Sequence, residues 1–413
     1  MIINPKTPVF ARSDRAAAVK LSEIVRISEA VQARKAKGED ILSFGTGEPD
    51  FPTPENIIEA AHSAMLAGQT TYPPTQGISA LRKAIIEHMA SDPSAKPDQS
   101  EVIVCTGAKQ VLANACLATL NQGDEIIVPA PYWTSYADIV AFCQATLVPV
   151  ACTGETEFKL SPAQLSAAIT PKTKWLLLNS PGNPSGALYT AHELSALADV
   201  LRANPHVWIL ADEIYQHISY DTFTSFREIA PDLLGRMLIV NGVSKAYAMT
   251  GWRLGWGVGP RELIATMVGV QGQSTSGASS ISQAAALAAL TGPQDVLSER
   301  LASFKDRRDY VVAALNKTRR LDCLTPGGAF YVFPSCEKTF GLKTPDGTEI
   351  TTDAEFCTYI LANAGVALVP GRAFGLSGHF RLSYAYAMAE LKKSCARITK
   401  AVAALSQRII ECH

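Results

Sequence analysis

The stretch Gly242-Val-Ser-Lys-Ala-Tyr-Ala-Met-Thr-Gly-Trp-Arg-Leu-Gly255 carries the most chemical information in the sequence. It follows an apolar run at residues 237–240, typical of a buried strand, and places Lys245 among small residues. Burial lowers the pKa of a lysine because desolvation disfavours the charged ammonium, and a neutral amine can form a Schiff base. A lone lysine here is more often an exposed loop residue. Arg253, however, lies eight residues further on and can bind a phosphate bidentately, so the pair favours a binding site.

Similar apolar runs precede this stretch, and glycine or polar residues follow each of them. The runs are 102–105 before TGAKQ, 125–128 before PAPYW, 175–178 before NSPGNPSG, 207–211 before DEIY and 237–240 before NGVSK. A further run at 254–258 comes too soon for a crossover helix, so we expect it to be antiparallel to its neighbour. Helical patterns alternate with these runs, which predicts an α/β fold with a mostly parallel sheet. Open sheets of this kind bind ligands beyond the carboxyl ends of their strands.

Length and composition limit the classes of protein that the chain can represent. Its 413 residues predict two or three domains. Lys and Arg number 37 against 38 Asp and Glu, a net charge of −1, which argues against a nucleic-acid partner. Apolar residues make up 47% and charged residues 18%, unlike a disordered chain. No apolar run approaches the roughly 18 residues of a membrane span, so we expect no membrane partner.

The cysteines and histidines give no sign of a metal site or a disulfide framework. The nine cysteines are scattered without a C-x-x-C pair, and the seven histidines show no H-E-x-x-H spacing. We therefore expect no metal and reduced cysteines. The first 22 residues are basic, and a transit peptide is one interpretation of them. We favour a surface arm that leads into the first helix, and we expect a cytoplasmic protein.

The stretch at 242–255 resembles, position for position, the pyridoxal phosphate attachment signature of the class I and II aminotransferases. The resemblance covers roughly residues 20–405. It implies a fold type I α/β protein whose large domain, residues 48–297, contains a mostly parallel seven-stranded sheet. It also implies a smaller α/β domain built from residues 1–47 and 298–413. The implied cofactor is pyridoxal 5'-phosphate, and the implied enzyme is a transaminase of amino acid metabolism.

The resemblance assigns catalytic roles to three residues. Lys245 is expected to hold the cofactor as a Schiff base and to carry the proton. Asp212, in the D-E-x-Y motif, pairs with the pyridine nitrogen, which keeps the ring protonated as an electron sink. Tyr215 donates a hydrogen bond to the phenolic oxygen of the cofactor. Without the resemblance, an acidic residue after a buried strand more often caps a helix.

Further residues are expected to bind the phosphate of the cofactor. Gly107, Ala108 and Lys109 match the cradling turn, which lies at the N-terminus of a predicted helix and therefore presents backbone N–H groups. Ser244 and Arg253 match the remaining phosphate ligands. Neither G-x-x-x-x-G-K-[ST] nor G-x-G-x-x-G occurs in a suitable context, so ATP and NAD are poor alternatives.

The resemblance also predicts how the ring and the substrate are bound. Trp133 matches the aromatic residue that stacks on the cofactor ring and touches the substrate. Asn183 matches a ligand of the phenolic oxygen that also lies beside the substrate. Arg381 matches the arginine that binds the substrate α-carboxylate, for which its planar fork is suited, and Gly47 meets the same carboxylate. Tyr72 matches a tyrosine that reaches the phosphate of the neighbouring subunit, which implies a homodimer with shared active sites.

The expected substrates are an amino acid and a 2-oxo acid, with aspartate as donor and 2-oxoglutarate as acceptor. The pattern looks most like bacterial aspartate aminotransferases, a branch that includes members active on prephenate. Lys109 fits that branch, where the matching lysine meets a side-chain carboxylate, and Lys20 matches an N-terminal lysine of the branch. Ser22-Glu-Ile24 departs from it, because Ile24 donates no hydrogen bond and favours an apolar or aromatic side chain.

Three alternatives remain open from the sequence. One is an aromatic, prephenate or broad-specificity aminotransferase. The second is a cysteine-conjugate β-lyase on the same scaffold, which needs no oxo-acid acceptor. The third is a regulator that binds the cofactor without turnover. Such regulators carry an additional N-terminal DNA-binding domain, for which we expect no room because the resemblance begins near residue 20.

Overall fold

The computed structural model of the protein describes residues 10–19, 23–89 and 96–406. The helices, in chain order, are α1 Asp14–Ala18, α2 Glu23–Lys35, α3 Glu55–Leu66, α4 Ser79–Met89, α5 Ala108–Thr119, α6 Ser135–Phe142, α7 Pro162–Ala168, α8 Ala191–Arg202, α9 Phe226–Ile229, α10 Arg261–Ser274, α11 Ser280–Thr291, α12 Asp295–Lys317, α13 Asp353–Ala364 and α14 Met388–Ala403. The strands are β1 Leu42–Ser43, β2 Val102–Cys105, β3 Glu125–Ala130, β4 Thr146–Ala151, β5 Thr173–Asn179, β6 Trp208–Asp212, β7 Met237–Gly242, β8 Gly255–Val258, β9 Tyr331–Val332, β10 Val366–Ala367, β11 Val369–Pro370 and β12 Phe380–Ser383.

One seven-stranded sheet has the order β2-β8-β7-β6-β5-β3-β4. All its neighbouring strands are parallel except that β8 runs antiparallel to β2 and β7. The predicted α/β class, the mostly parallel sheet and the reversed strand are thus confirmed. Strand β4, which pairs only with β3 at the sheet edge, was not predicted from the sequence. Its residues are exposed or half-buried, so the strand lacks the continuous apolar run that marks its neighbours.

The continuous apolar runs arise because helices cover both faces of the sheet. In β5, Trp175 and Leu177 pack into the core on one face, while Leu176 and Leu178 pack into the core on the other. Successive side chains of a strand point to opposite faces, so a strand covered on both sides is apolar at every position. Polar residues are therefore found beyond the carboxyl ends of these strands rather than within them.

A second core joins the N-terminal part of the described chain to its C-terminal part. Strand β1 pairs in parallel with β10, and β11, β12 and β9 form an antiparallel sheet. Leu42 and Phe44 pack in one apolar cluster with residues from α12 to α14, and Tyr215, three residues after β6, belongs to the same cluster. Tyr215 therefore lies just beyond the carboxyl end of β6 in the large sheet and also packs in this second core. No helix within the described ranges is long and apolar enough to cross a membrane.

Candidate active site

A cavity of about 300 Å³ lies beyond the carboxyl ends of the large sheet. Loops that follow β2, β3, β5, β6 and β7 meet there with β12 and with the loop after β1. The cavity is lined by most of the residues singled out in the sequence, namely Gly47, Ala108, Lys109, Trp133, Asn183, Asp212, Tyr215, Ser244, Lys245, Arg253 and Arg381. Gly107 adjoins this group through Arg253. Tyr72 lies outside the cavity and is 93% exposed.

Lys245 lies three residues beyond β7 at the wall of the cavity. Its Nζ donates a hydrogen bond to the Gly47 carbonyl oxygen at 2.6 Å. Desolvation, with a smaller contribution from the positive charge of Arg381, lowers the pKa of Lys245 to about 8. A fraction of the amine is therefore neutral near pH 7, which suits a nucleophile and a proton carrier.

Asp212, the last residue of β6, is a buried carboxylate held by two donors. Its Oδ2 accepts from the Tyr136 hydroxyl at 2.7 Å, and its Oδ1 accepts from the Ile214 backbone N–H at 3.3 Å. Burial raises the pKa of Asp212 to about 6, and the bond from Tyr136 acts in the opposite direction. Tyr136 was not predicted from the sequence, because nothing in its segment distinguishes it from a tyrosine of the core.

A chain of hydrogen bonds connects Arg381 to Asp212 across the cavity floor. Arg381 Nη1 donates to Asn183 Oδ1 at 2.8 Å, and the Asn183 backbone N–H donates to Asn179 Oδ1 at 2.8 Å. Asn179 Nδ2 donates to the Asp212 carbonyl oxygen at 2.8 Å. Asn183 is thereby held beside Arg381, while Asn179, which the sequence analysis did not single out, links it to β6.

Arg381 is buried in β12 without a carboxylate partner among the described residues. Its guanidinium lies between the rings of Tyr331, at 4.6 Å, and Phe374, at 4.8 Å. Its Nη2 donates to the Gly45 carbonyl oxygen, but its buried Nε has no hydrogen-bond partner in the described structure. A buried cation with a free donor calls for an anionic ligand, and a planar carboxylate matches this fork.

The turn between β2 and α5 forms an anion cradle against Arg253. Gly107 is the N-terminal cap of α5, makes no side-chain cap and has φ +85°. A Cβ atom at Gly107 would lie 2.6 Å from Arg253 Nη2, and the positive φ disfavours any residue with a side chain, so glycine suits this close approach. Arg253 is held by a bond from Nη1 to the Thr250 carbonyl oxygen at 2.7 Å. The helix N-terminus, this arginine and the adjacent Ser244 fit a phosphate group.

These features together fit pyridoxal phosphate. The cradle suits its phosphate, the buried Asp212 carboxylate suits a pyridinium nitrogen, and the Lys245 amine suits its aldehyde. Trp133 lines the same cavity and meets the Tyr136 ring edge-on at a centroid distance of 5.4 Å. No three His, Cys, Asp or Glu residues of the described chain are close enough together to hold a metal ion.

The outer wall of the cavity carries a further cation. Lys109 Nζ lies 4.8 Å from the centre of the Trp133 ring and makes no ion pair with a described carboxylate. Burial, followed by the charge of Arg253, lowers the pKa of Lys109, and the nearby Asp138 carboxylate acts in the opposite direction. Ile24 lines the same cavity. Lys20 and Ser22, which the sequence analysis compared with a family branch, lie outside the described residues.

Tyr331 is the main cavity residue that sequence reasoning did not single out. Its hydroxyl lies 2.9 Å from that of Tyr215. A Cβ atom at Gly47 would lie 2.2 Å from the same hydroxyl, which explains why a glycine stands there. The strand around Tyr331 is apolar and buried, so nothing in its pattern marks one tyrosine as part of a site. Thr250 and Ile214 also line the cavity and were not singled out.

Comparisons with known proteins agree with this geometry. The family model for aminotransferase class I and II matches residues 39–398. The chain is 50% identical over 399 residues to an aspartate aminotransferase of Rhizobium meliloti (strain 1021), covering 96% of this chain and 97% of the relative. It is 48% identical over 396 residues to an aspartate/prephenate aminotransferase of Cereibacter sphaeroides (strain ATCC 17029 / ATH 2.4.9), covering 95% and 99%.

Solved structures show the same similarity. The crystal structure of the aspartate aminotransferase from Rhizobium meliloti superposes with a TM-score of 0.94 at 50% identity, covering 96% of this chain and all of that one. The aspartate aminotransferase from Thermus thermophilus with maleate has a TM-score of 0.88 at 36% identity, with 95% and 100% covered. Fold and sequence therefore point to one family.

Proposed function

The chain belongs to the class I and II aminotransferase family and is a transaminase that depends on pyridoxal phosphate; from this premise we propose that it moves the amino group of L-aspartate to 2-oxoglutarate. The observation that carries the choice of donor is a pair of cations in one cavity. Arg381 and Lys109 both line it, and neither forms an ion pair at contact distance with a described carboxylate, although Asp138 acts on Lys109 electrostatically. Two such cations suit the two carboxylates of a dicarboxylic substrate.

Similar proteins support this proposal. Relatives at 50% and 48% identity are named aspartate aminotransferase and aspartate/prephenate aminotransferase. The Thermus thermophilus structure contains maleate, which is itself a dicarboxylate. We assign the α-carboxylate to Arg381, because its fork is buried and held by Asn183. The more accessible Lys109 then takes the side-chain carboxylate.

When bound, pyridoxal phosphate supplies an aldehyde that takes up the amino group and a ring that accepts the electron pair of the Cα–H bond. Lys245 would be the covalent anchor and then the base that takes the Cα proton and returns it to the cofactor carbon on the other side of the amino nitrogen. The Gly47 carbonyl oxygen, 2.6 Å from Nζ, holds the amine in place for this transfer. Asp212 holds the proton on the ring nitrogen, and Tyr215 donates to the phenolic oxygen.

The remaining residues of the proposed site position the cofactor and the substrate. Trp133 covers the ring, and Gly107, Ala108, Ser244 and Arg253 bind the phosphate. Lys109 belongs to the same turn as Gly107, but its Nζ points towards Trp133. We therefore give it a substrate role in addition to the phosphate-side role expected from the sequence.

A second candidate is transamination of aromatic donors or prephenate. Ile24 lines the cavity and offers an apolar surface in place of a hydrogen-bond donor. Apolar contact favours a ring over the short side chain of aspartate. This candidate shares the catalytic residues of the first and differs only in the donor.

We also propose a cytoplasmic homodimer in which Tyr72 completes the site of the neighbouring subunit. Tyr72 is 93% exposed, and Ile58, Met65 and Leu66 on α3 are exposed apolar side chains, as expected of an uncovered interface. The eight described cysteines are all unpaired, which suits a reducing compartment. The proposed division is a large domain of residues 48–297 and a small domain of 1–47 and 298–413.

A donor panel with 2-oxoglutarate as acceptor tests the proposal. Glutamate should form fastest from aspartate, and Lys245→Ala should lose at least about 10²-fold in kcat together with the visible band of the bound cofactor. Lys172→Ala, at an exposed lysine, is the matched control and should behave as wild type. No transfer from aspartate would reject the donor assignment. Pyruvate release from a cysteine conjugate without acceptor would favour the lyase alternative instead.

A further inference from the structure

Tyr331 contacts three residues of the proposed site at once. Its hydroxyl is 2.9 Å from the Tyr215 hydroxyl, and its ring lies 4.6 Å beneath the Arg381 guanidinium. Its hydroxyl also occupies the space that a side chain at Gly47 would need. Tyr331 itself is fully buried. It therefore connects the cofactor side of the cavity with the carboxylate side.

The direction of the bond between the two tyrosines follows from counting hydrogens. A tyrosine hydroxyl has one hydrogen to donate. If Tyr215 gives its hydrogen to the phenolic oxygen of the cofactor, it can only accept from Tyr331. A hydroxyl that accepts a hydrogen bond becomes a stronger donor, because the bonds of a chain polarise one another.

We propose that Tyr331 is a positioning residue with two separable actions: its hydroxyl strengthens the bond from Tyr215 to the cofactor, and its ring holds Arg381 for the substrate carboxylate. This inference rests on the proposed function of the cavity. The guanidinium carbon lies over the rings of both Tyr331 and Phe374, so removal of one ring frees the guanidinium to move. The hydroxyl, by contrast, is not needed for that stacking.

The charged and titratable groups around the tyrosine pair come from several elements: Tyr136 on α6, Asp212 at the end of β6, Lys245 after β7, Arg381 on β12 and Tyr386 beyond it. Tyr331→Phe removes the hydroxyl alone and leaves all of these side chains in place. A change in the cofactor spectrum of Tyr331→Phe can then be assigned to the bond with Tyr215.

The test compares two substitutions in the holoenzyme. Tyr331→Phe should move the midpoint of the pH-dependent visible band upward by about 0.5–1 pH unit, because a weaker phenolic bond lets the nitrogen that joins Lys245 to the cofactor hold its proton more tightly. Its KM for aspartate should stay within about threefold of wild type. Tyr331→Leu should show the same shift and, in addition, a KM for aspartate raised by about tenfold or more, since the ring beneath Arg381 is lost.

Tyr384→Phe is the matched control. Tyr384 and Tyr220 form another hydroxyl pair, 3.0 Å apart, in the same core but outside the cavity. The midpoint of the pH-dependent visible band in Tyr384→Phe should equal that of wild type. A wild-type midpoint in Tyr331→Phe, an equal shift in Tyr384→Phe, or an unchanged KM in Tyr331→Leu would overturn the inference. Failure of the wild-type protein to bind pyridoxal phosphate would instead overturn the proposed function itself.

Discussion

Tyr136 donates a hydrogen bond of 2.7 Å to the Asp212 carboxylate and is the only side chain in the described structure that donates to this carboxylate. Both residues are buried. Burial alone favours the neutral carboxylic acid, whereas a proton on the cofactor ring requires the carboxylate. The bond from Tyr136 offsets part of the burial effect without adding a second charge. Tyr136 thus favours the ionised form of Asp212, which its proposed role requires.

Tyr136→Phe should weaken cofactor binding in a pH-dependent manner. Without the hydroxyl, the pKa of Asp212 should rise above its value of about 6, so that more of the group is protonated near neutral pH. We expect the Kd for pyridoxal phosphate to rise about tenfold at pH 6 and less at pH 8. Titrations at both pH values measure this. Tyr359→Phe, which removes a buried hydroxyl bonded to the Ala401 carbonyl oxygen, is the control. An equal rise in Kd at pH 6 and pH 8 would contradict this explanation.

Lys245→Met should stabilise the cofactor-free protein at pH 7. The pKa of Lys245 is lowered from 10.5 to about 8, so the unfolded chain binds more protons between these values. Lys245 therefore destabilises the folded state by its full amount below pH 8, and this destabilisation disappears as the pH rises towards 10.5. We expect the free energy of unfolding to rise by about 1–3 kcal/mol at pH 7. The gain should not exceed this range, because the amine lines the cavity. Urea unfolding at pH 7 and 10 tests it, with Lys172→Met as control. A gain that is the same at both pH values would refute this origin.

Arg381→Lys should separate substrate binding from cofactor binding. Lysine keeps the charge but loses the fork, so the α-carboxylate loses one of its two bonds. We expect the KM for aspartate to rise about 10–100-fold, while the visible band of the bound cofactor remains. Arg202→Lys changes an exposed ion-paired arginine on α8 and should leave KM unaltered. If KM is unchanged in Arg381→Lys, the carboxylate binds elsewhere.

Lys109→Met should change the choice of donor. Removal of the cation affects a side-chain carboxylate but not an aromatic ring, so the KM for aspartate should rise about tenfold or more and that for phenylalanine should change little. Steady-state kinetics with both donors measure the ratio. Lys305→Met, at an exposed pair with Asp309, is the control. A parallel loss for both donors would place Lys109 on the phosphate rather than on the substrate.

The sequence by itself determined the fold class and most of the candidate site. Apolar runs marked six strands of the large sheet because the sheet is covered on both faces, and the residues that follow those strands were visible in the same short segments. Lys245, Asp212 and Asn183 lie in these segments, and the resemblance to the aminotransferase family assigned their roles. Strand β4 was missed because its exposed edge position gives no continuous apolar run.

Only the tertiary structure decided which side chains act on these residues. Tyr136 lies 76 positions from Asp212, and Tyr331 lies 116 positions from Tyr215. A buried tyrosine in an apolar segment looks the same in the sequence whether its hydroxyl meets a core carbonyl or a catalytic group. The physical reason is that hydrophobic patterning and motif spacing report short-range order. The partner of a buried polar atom, by contrast, depends on how distant strands and helices pack together.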